Sequence, residues 1–301
     1  FFFKQKTAYE IVDCDWSSDV CSSDLLQGLP WRHLPERPVD VWLPEGHDPA
    51  RPHAVLLMLD GQMAFDPRST WNGQAWRADQ AVAALQRQGR LRDTLVVAVH
   101  NRPEHRFAEY FPEPALAELP APLREDYTRR AQHGQPLGEA HVRTLVDEVL
   151  PAVAARFALL GGPAHTAIAG SSMGGLAAWA TLCRAPGTFG AAIAFSTHWI
   201  GLPPAWRAEP DAAPRAQATA QALLRVFERD LPAPGPHRLW IDRGDDALDS
   251  LYALHLDAAA AALQRRGWGP AQAVVRTFAG TGHDEASWAG RLPDALGFVW
   301  S

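Results

Sequence analysis

The stretch Ile168-Ala-Gly-Ser-Ser-Met-Gly-Gly-Leu176 decides how this chain is read. It holds Gly170-x-Ser172-x-Gly174, a serine with a glycine two positions away on either side. A short apolar run, Thr166 to Ala169, precedes it, and an alanine-rich run of helical character, Leu176 to Cys183, follows. Strand, sharp turn, helix is the context in which this weak five-residue pattern presents a nucleophile. A serine hydroxyl attacks only if it projects from its surroundings and a base can take its proton. A tight turn supplies the projection, and flanking glycines keep side chains from colliding there. The bland alternative is a Gly/Ser turn without chemistry.

A serine nucleophile needs a base. His283, in Gly280-Thr-Gly-His-Asp284, directly follows the last strand-like run. Sites in open parallel sheets gather at such carboxyl ends. His100 and His198 also follow strand-like runs and compete for the role. The order serine, acid, histidine favours His283: His100 precedes the serine, and His198 leaves no room for an intervening acid. The acid is expected in Gly244-Asp-Asp-Ala-Leu-Asp249, after the strand His237 to Asp242. Asp246 is the first choice and Asp249 the alternative, because Asp249 directly precedes a helix and reads as its N-cap. Such an acid holds the imidazole tautomer and stabilises its charged form. Two N–H groups must face the tetrahedral oxyanion. One is expected from Met173, the other from Gln62 in Asp60-Gly61-Gln62, where Gly61 permits close backbone approach.

Outward from this centre, strand and helix signals alternate throughout, the pattern of an α/β domain with a mostly parallel sheet and helices on both faces. Ala54 to Leu59, Thr94 to Val99 and Ala191 to Phe195 are continuous apolar runs, as strands covered on both faces should be. Val39 to Leu43 and Ala273 to Phe278 are the first and last strands expected. Helices are expected over Ala78 to Gln88, Ala140 to Phe157 (with Pro151 as a kink), Ala216 to Arg229, Ser250 to Arg266 and Glu285 to Val299. Pro, Glu and Arg dominate from about Arg102 to Leu137, which reads as a long irregular excursion. No composition break divides the body, so residues 26–301 read as one domain.

The 301-residue chain is 47% hydrophobic with a formal charge of −6, which supports a sizeable core and gives no basic footprint for nucleic acid. No apolar run is long enough to span a membrane. Residues 1–25 differ from the rest: they lack periodicity, hold Cys14 and Cys21, and resemble translated sequencing-adapter read-through. They are set aside as a non-native or disordered leader, which leaves both a cytoplasmic and an exported location open. Cys183 then stands alone in a predicted helix as a small apolar residue, with no disulfide framework or metal motif. Among aromatics near the loops (Phe65, Trp71, Trp76, Trp199, Trp206, Trp288), Trp199 is the leading pocket-wall candidate, with Trp71 beside it. Arg106, in Arg106-x-x-Glu109-Tyr110, is read either as a contact for a polar substrate end or as part of an ion pair anchoring the excursion.

Four stretches, Val39-Asp-Val-Trp-Leu-Pro-Glu45, Leu59-Asp-Gly-Gln62, His105-Arg-x-x-Glu-Tyr110 and Gly170-Ser-Ser-Met-Gly-Gly175, together with the tail from Gly282-His283 to Trp288, resemble the Putative esterase family. That family includes feruloyl esterases, enterochelin-esterase-like enzymes and S-formylglutathione hydrolases. The resemblance runs from about Val39 to the C-terminus. It implies an α/β-hydrolase fold, with Ser172 and His283 at the family's catalytic positions. Many members place the acid three residues after the glycine of the Gly244 loop, where this chain has Ala247. The expected function is serine carboxylesterase action on a small-molecule ester through an acyl-enzyme, with no metal or organic cofactor. An acyltransferase or thioesterase with the same residues, or a non-catalytic binding module on the same fold, are the alternatives.

Overall fold

A computed structural model describes residues 23–26, 29 and 31–300. In chain order its regular elements are β1 (Ser23–Leu25), β2 (Val39–Trp42), β3 (Ala54–Leu59), α1 (Ala78–Arg87), β4 (Thr94–Val99), α2 (Arg106–Tyr110), α3 (Glu113–Ala117) and α4 (Ala121–Ala131). Then come α5 (Gly138–Thr144), α6 (Leu150–Ala154), β5 (Thr166–Ser171), α7 (Met173–Arg184), β6 (Ala191–Phe195), α8 (Ala212–Asp230), β7 (Arg238–Gly244), α9 (Ala253–Arg265), β8 (Ala273–Phe278) and α10 (Glu285–Val299). The strands form one sheet in the order β1-β2-β4-β3-β5-β6-β7-β8. β2 is antiparallel to β1 and β4, and β3 to β8 pair in parallel.

The continuous apolar runs arise because the sheet is covered on both sides. Val55, Leu57, Leu59, Leu95, Val97 and Val99 face one core, which α7, α8 and α9 close with Leu176, Leu223, Phe227, Leu256 and Leu263. Their neighbours Leu56, Met58, Val96 and Ala98 face a second core, closed by Val82 and Leu85 of α1 and by Leu292 and Leu296 of α10. Each fully buried Leu, Ile or Val side chain contributes about 1.5–3 kcal/mol.

The Arg102–Leu137 excursion is helical, contrary to the irregular segment expected. It carries α2, α3 and α4, and its prolines open helices rather than break them. Pro112 and Pro120 are N-caps, and prolines follow in the first turns of α3 and α4, where a missing N–H costs nothing. The excursion is tied down by Tyr127, whose hydroxyl donates to the Gly201 carbonyl at 2.5 Å. Arg130 and Arg215 also stack on Trp206. Pro151 produces a π turn over Leu145–Val149, between α5 and α6. Leu150 N–H there reaches back five residues to Leu145, and the carbonyl of Asp147, which Pro151 cannot serve, accepts from Arg32 at 3.3 Å.

Of the foreign-looking segment 1–25, residues 1–22, with Cys14 and Cys21, lie outside the described residues. Its last three residues form β1, in register Ser23 to Trp42 and Leu25 to Asp40. Cys183 is a free thiol in α7, and burial pushes its pKa up.

Candidate active site

Six strands end on the edge where the predicted site residues gather. Ser172, between β5 and α7, has φ 56 and ψ −121, a conformation costly for a residue with a Cβ. The glycines around it are dictated by packing. A Cβ on Gly170 would lie 2.3 Å from the Gly174 carbonyl oxygen, and one on Gly175 would lie 2.9 Å from Thr197 Oγ1. The serine backbone is pinned on both sides: its N–H donates to Phe195 at 2.9 Å, and its carbonyl accepts from His198 N–H at 3.0 Å. Met173 opens α7, so its N–H has no intrahelical acceptor.

His283 stands on the loop between β8 and α10. Its Nδ1 lies 2.6 Å from Oδ1 of Asp249. Asp249 is fully buried, and its Oδ2 accepts from Gly244 N–H and from Ser196 Oγ, each at 2.5 Å. A proton on Nδ1 facing the carboxylate leaves Nε2 as the free lone pair. Tyr252 and Trp288 meet the imidazole edge-on at 5.9 and 5.1 Å. Among the described residues Ser172 Oγ makes no hydrogen bond to His283; such bonds are often long before substrate arrives.

Of the two expected acids, the alternative Asp249 and not the first choice Asp246 lies against His283. Asp246 is exposed and caps the 3-10 turn Ala247–Tyr252, accepting from Ala247 N–H at 2.7 Å. Asp249 reaches His283 instead, because the turn begins at Ala247 and curls it back over Gly244. The competing histidines are engaged elsewhere. His100 Nε2 sits 2.7 Å from Asp40. His198 is enclosed between the Tyr252 hydroxyl at 2.5 Å and the Leu202 carbonyl at 2.9 Å, and burial lowers its pKa to about 3.

The loop after β3 starts with Asp60 at φ 56, followed by a 3-10 turn over Gly61–Met63. A Cβ on Gly61 would lie 2.5 Å from the Ala98 carbonyl carbon, so only glycine lets the loop rest on β4. The Gln62 side chain is occupied, accepting from Asn101 N–H at 3.2 Å. Arg106 grips Asp60 in a two-pronged pair, Nε to Oδ1 at 2.9 Å and Nη2 to Oδ2 at 2.6 Å, with Asn101 Nδ2 as a further donor to Oδ1. Of the two expected roles, the ion pair is the one seen, and it anchors the loop beside the serine. Glu109 pairs with Arg37 at 2.5 and 2.8 Å, fully buried.

Trp199 is not a pocket wall. It is 1% exposed, stacked on Trp179 at 6.0 Å and packed against Phe227. Trp71 is 83% exposed. Its loop is docked on the start of α10, through Asn72 Nδ2 to Glu285 Oε2 at 2.7 Å and Ala286 N–H to Gln74 Oε1 at 3.2 Å. Trp71 is therefore carried on a loop fixed to the first turn of α10, two and three residues after His283. Sequence reasoning missed Ser196 and Arg291, which contact Asp249. Ser196 offered a faint signal, standing one residue past an apolar strand.

A sheet of this order, with a strained serine turn after its fifth strand and a His–Asp pair after its last two, is the α/β-hydrolase fold. The chain belongs to the Putative esterase family, whose model matches residues 35–299, and is a hydrolase acting on ester bonds. A sequence search of curated proteins finds no match. Among solved structures, a ferulic acid esterase from Anaeromyces mucronatus is similar, with a TM-score of 0.62 at 15% identity, over 95% of this chain and 94% of that one. An IroE-like serine hydrolase from Shewanella oneidensis has a TM-score of 0.59 at 18% identity, over 92% and 79%. The enterobactin esterase of Shigella flexneri has a TM-score of 0.62 at 18% identity; the match takes in 96% of this chain but only 61% of that longer one. At these identities the likeness is one of fold.

Proposed function

We propose that this protein hydrolyses a small-molecule carboxylic ester through an acyl-enzyme on Ser172. Ser172 Oγ attacks the carbonyl carbon while His283 Nε2 takes its proton. Asp249 stabilises the resulting imidazolium. The N–H groups of Met173 and Gln62 receive the oxyanion; one such donor typically contributes about 3–4 kcal/mol to the transition state. The alcohol leaves with the proton from His283, and water, deprotonated by the same nitrogen, releases the acid. The observation that carries this reading is the 2.6 Å His283–Asp249 pair, at the sheet edge where Ser172 is held in its strained turn. A fluorophosphonate probe is expected to label the protein once, at Ser172 by peptide mapping, with no label on Ser172→Ala. Labelling of Ser172→Ala at another residue would refute the assignment.

Trp71 is the substrate-facing aromatic in this reading, an exposed ring on the loop docked beside the His283 segment and available to stack on a planar acyl or alcohol group. A stacking contact of this kind is worth about 1 kcal/mol. Trp71→Ala should therefore raise KM for bulky aryl esters roughly fivefold, with kcat within twofold of wild type. An unchanged KM across a panel of such esters would remove Trp71 from the site.

A further inference from the structure

The turn after β6 connects the two halves of the candidate machinery. Phe195 and His198 hold the backbone of Ser172 on either side. Between them Ser196 is fully buried with φ 43, a left-handed conformation unusual for a side-chain-bearing residue. Its Oγ has three neighbours: Asp249 Oδ2 at 2.5 Å, Trp288 Nε1 at 2.9 Å and Arg291 Nη1 at 3.3 Å. An indole N–H and a guanidinium are donors only. The hydroxyl must accept from both, which leaves its single proton for Asp249. The direction of that bond is thus fixed by chemistry.

Arg291 is 2% exposed and anchors this hydroxyl to the rest of the site. Its Nη1 pairs with Asp242 Oδ1 at 3.1 Å. Its Nη2 donates to Thr281 Oγ1 and lies 3.5 Å from the Gly282 carbonyl, on the loop that carries His283. One guanidinium therefore braces both the hydroxyl that holds the acid and the loop that holds the base.

We propose that Ser196, held by Arg291 and Trp288, is a positioning residue that locks the Asp249 carboxylate and through it the ring of His283. The proposal rests on the Ser172–His283–Asp249 reading above. Ser196 Oγ and Gly244 N–H together grip Oδ2, so loss of the hydroxyl leaves the carboxylate one anchor and frees Oδ1 to shift from His283, and small misplacements of reacting groups are costly in rate. Ser196→Ala removes the hydroxyl and keeps the backbone strain. Ser196→Gly removes the hydroxyl and relieves that strain, so it provides a variant suited to fold.

Both variants should lower kcat for p-nitrophenyl acetate roughly tenfold to a hundredfold, with KM within twofold, and slow fluorophosphonate labelling in step. The Gly variant should melt no lower than the Ala variant and yet be equally slow. A purely structural role predicts recovery of kcat on relief of strain, so a Gly variant near wild-type rate overturns the proposal. So does a kcat within twofold of wild type in both. A wild-type protein that is not labelled at Ser172 would remove the underlying reading, and this proposal with it, which separates the two failures.

Discussion

Asp249→Asn is expected to lower kcat by about 10³- to 10⁴-fold, while Asp246→Asn stays within twofold of wild type. The asymmetry follows from where the two carboxylates stand. Asp249 accepts three hydrogen bonds in a fully buried site, from His283 Nδ1, Gly244 N–H and Ser196 Oγ. An asparagine there brings an amide N–H₂ against donors, and its neutral oxygen cannot stabilise an imidazolium. The ring is then free to present the wrong tautomer, with Nε2 protonated and unable to accept from Ser172. Asp246 lies at the surface and caps a 3-10 turn. Asparagine caps about as well, so stability should change by only a few tenths of a kcal/mol. Steady-state kinetics on p-nitrophenyl acetate, with melting curves to confirm folding, separate the two. Equal retention of kcat in both variants would leave His283 without a carboxylate partner in the mechanism. Loss confined to the Asp246 variant would reverse the assignment.

The same pair of residues marks where local reasoning from sequence stops. Strands buried on both faces announce themselves as unbroken apolar runs, so β3, β4 and β6 begin and end where the sequence places them. The serine turn is equally legible, because a Cβ on Gly170 would strike Gly174 four residues on, although Gly175 answers to the distant Thr197. The acid is not. Asp249 reads as an N-cap only if the helix begins at Ser250. The chain instead enters a 3-10 turn at Ala247, itself at φ 49, so Asp246 becomes the cap and Asp249 turns inward. Partner choice over long distances is hidden for the same reason. Arg106 and Glu109 look like a local i, i+3 pair, yet one reaches Asp60 and the other Arg37, 72 residues away. The prolines of the excursion mislead because a proline opens a helix as readily as it ends one, and the sequence alone does not say which turn it occupies.

Acid should unfold this protein through histidines that take no part in the proposed chemistry. His141 is buried against the edge of Tyr110 at 5.0 Å, with neither ring nitrogen partnered among the described residues, and burial lowers its pKa to about 3. His198, enclosed by Tyr252 and Leu202, is likewise lowered to about 3 by burial. In the unfolded chain both titrate near pH 6.5. Between these values the unfolded state binds more protons, so stability is complete above about pH 6.5 and declines as pH falls toward 3. At pH 5 each histidine has lost about 2 kcal/mol of its contribution. Asp242 works the other way: burial, resisted by Arg291, raises its pKa to about 6, so the folded state gains a proton first and recovers about 1 kcal/mol. These three groups together take away about 3 kcal/mol between pH 7.5 and pH 5, read from urea unfolding midpoints at constant m. His141→Phe, which fills the same apolar slot without a titrating ring, should reduce that loss by about 2 kcal/mol. An unfolding free energy that is flat over this range, or a His141→Phe profile parallel to wild type, would show that burial does not hold these rings neutral.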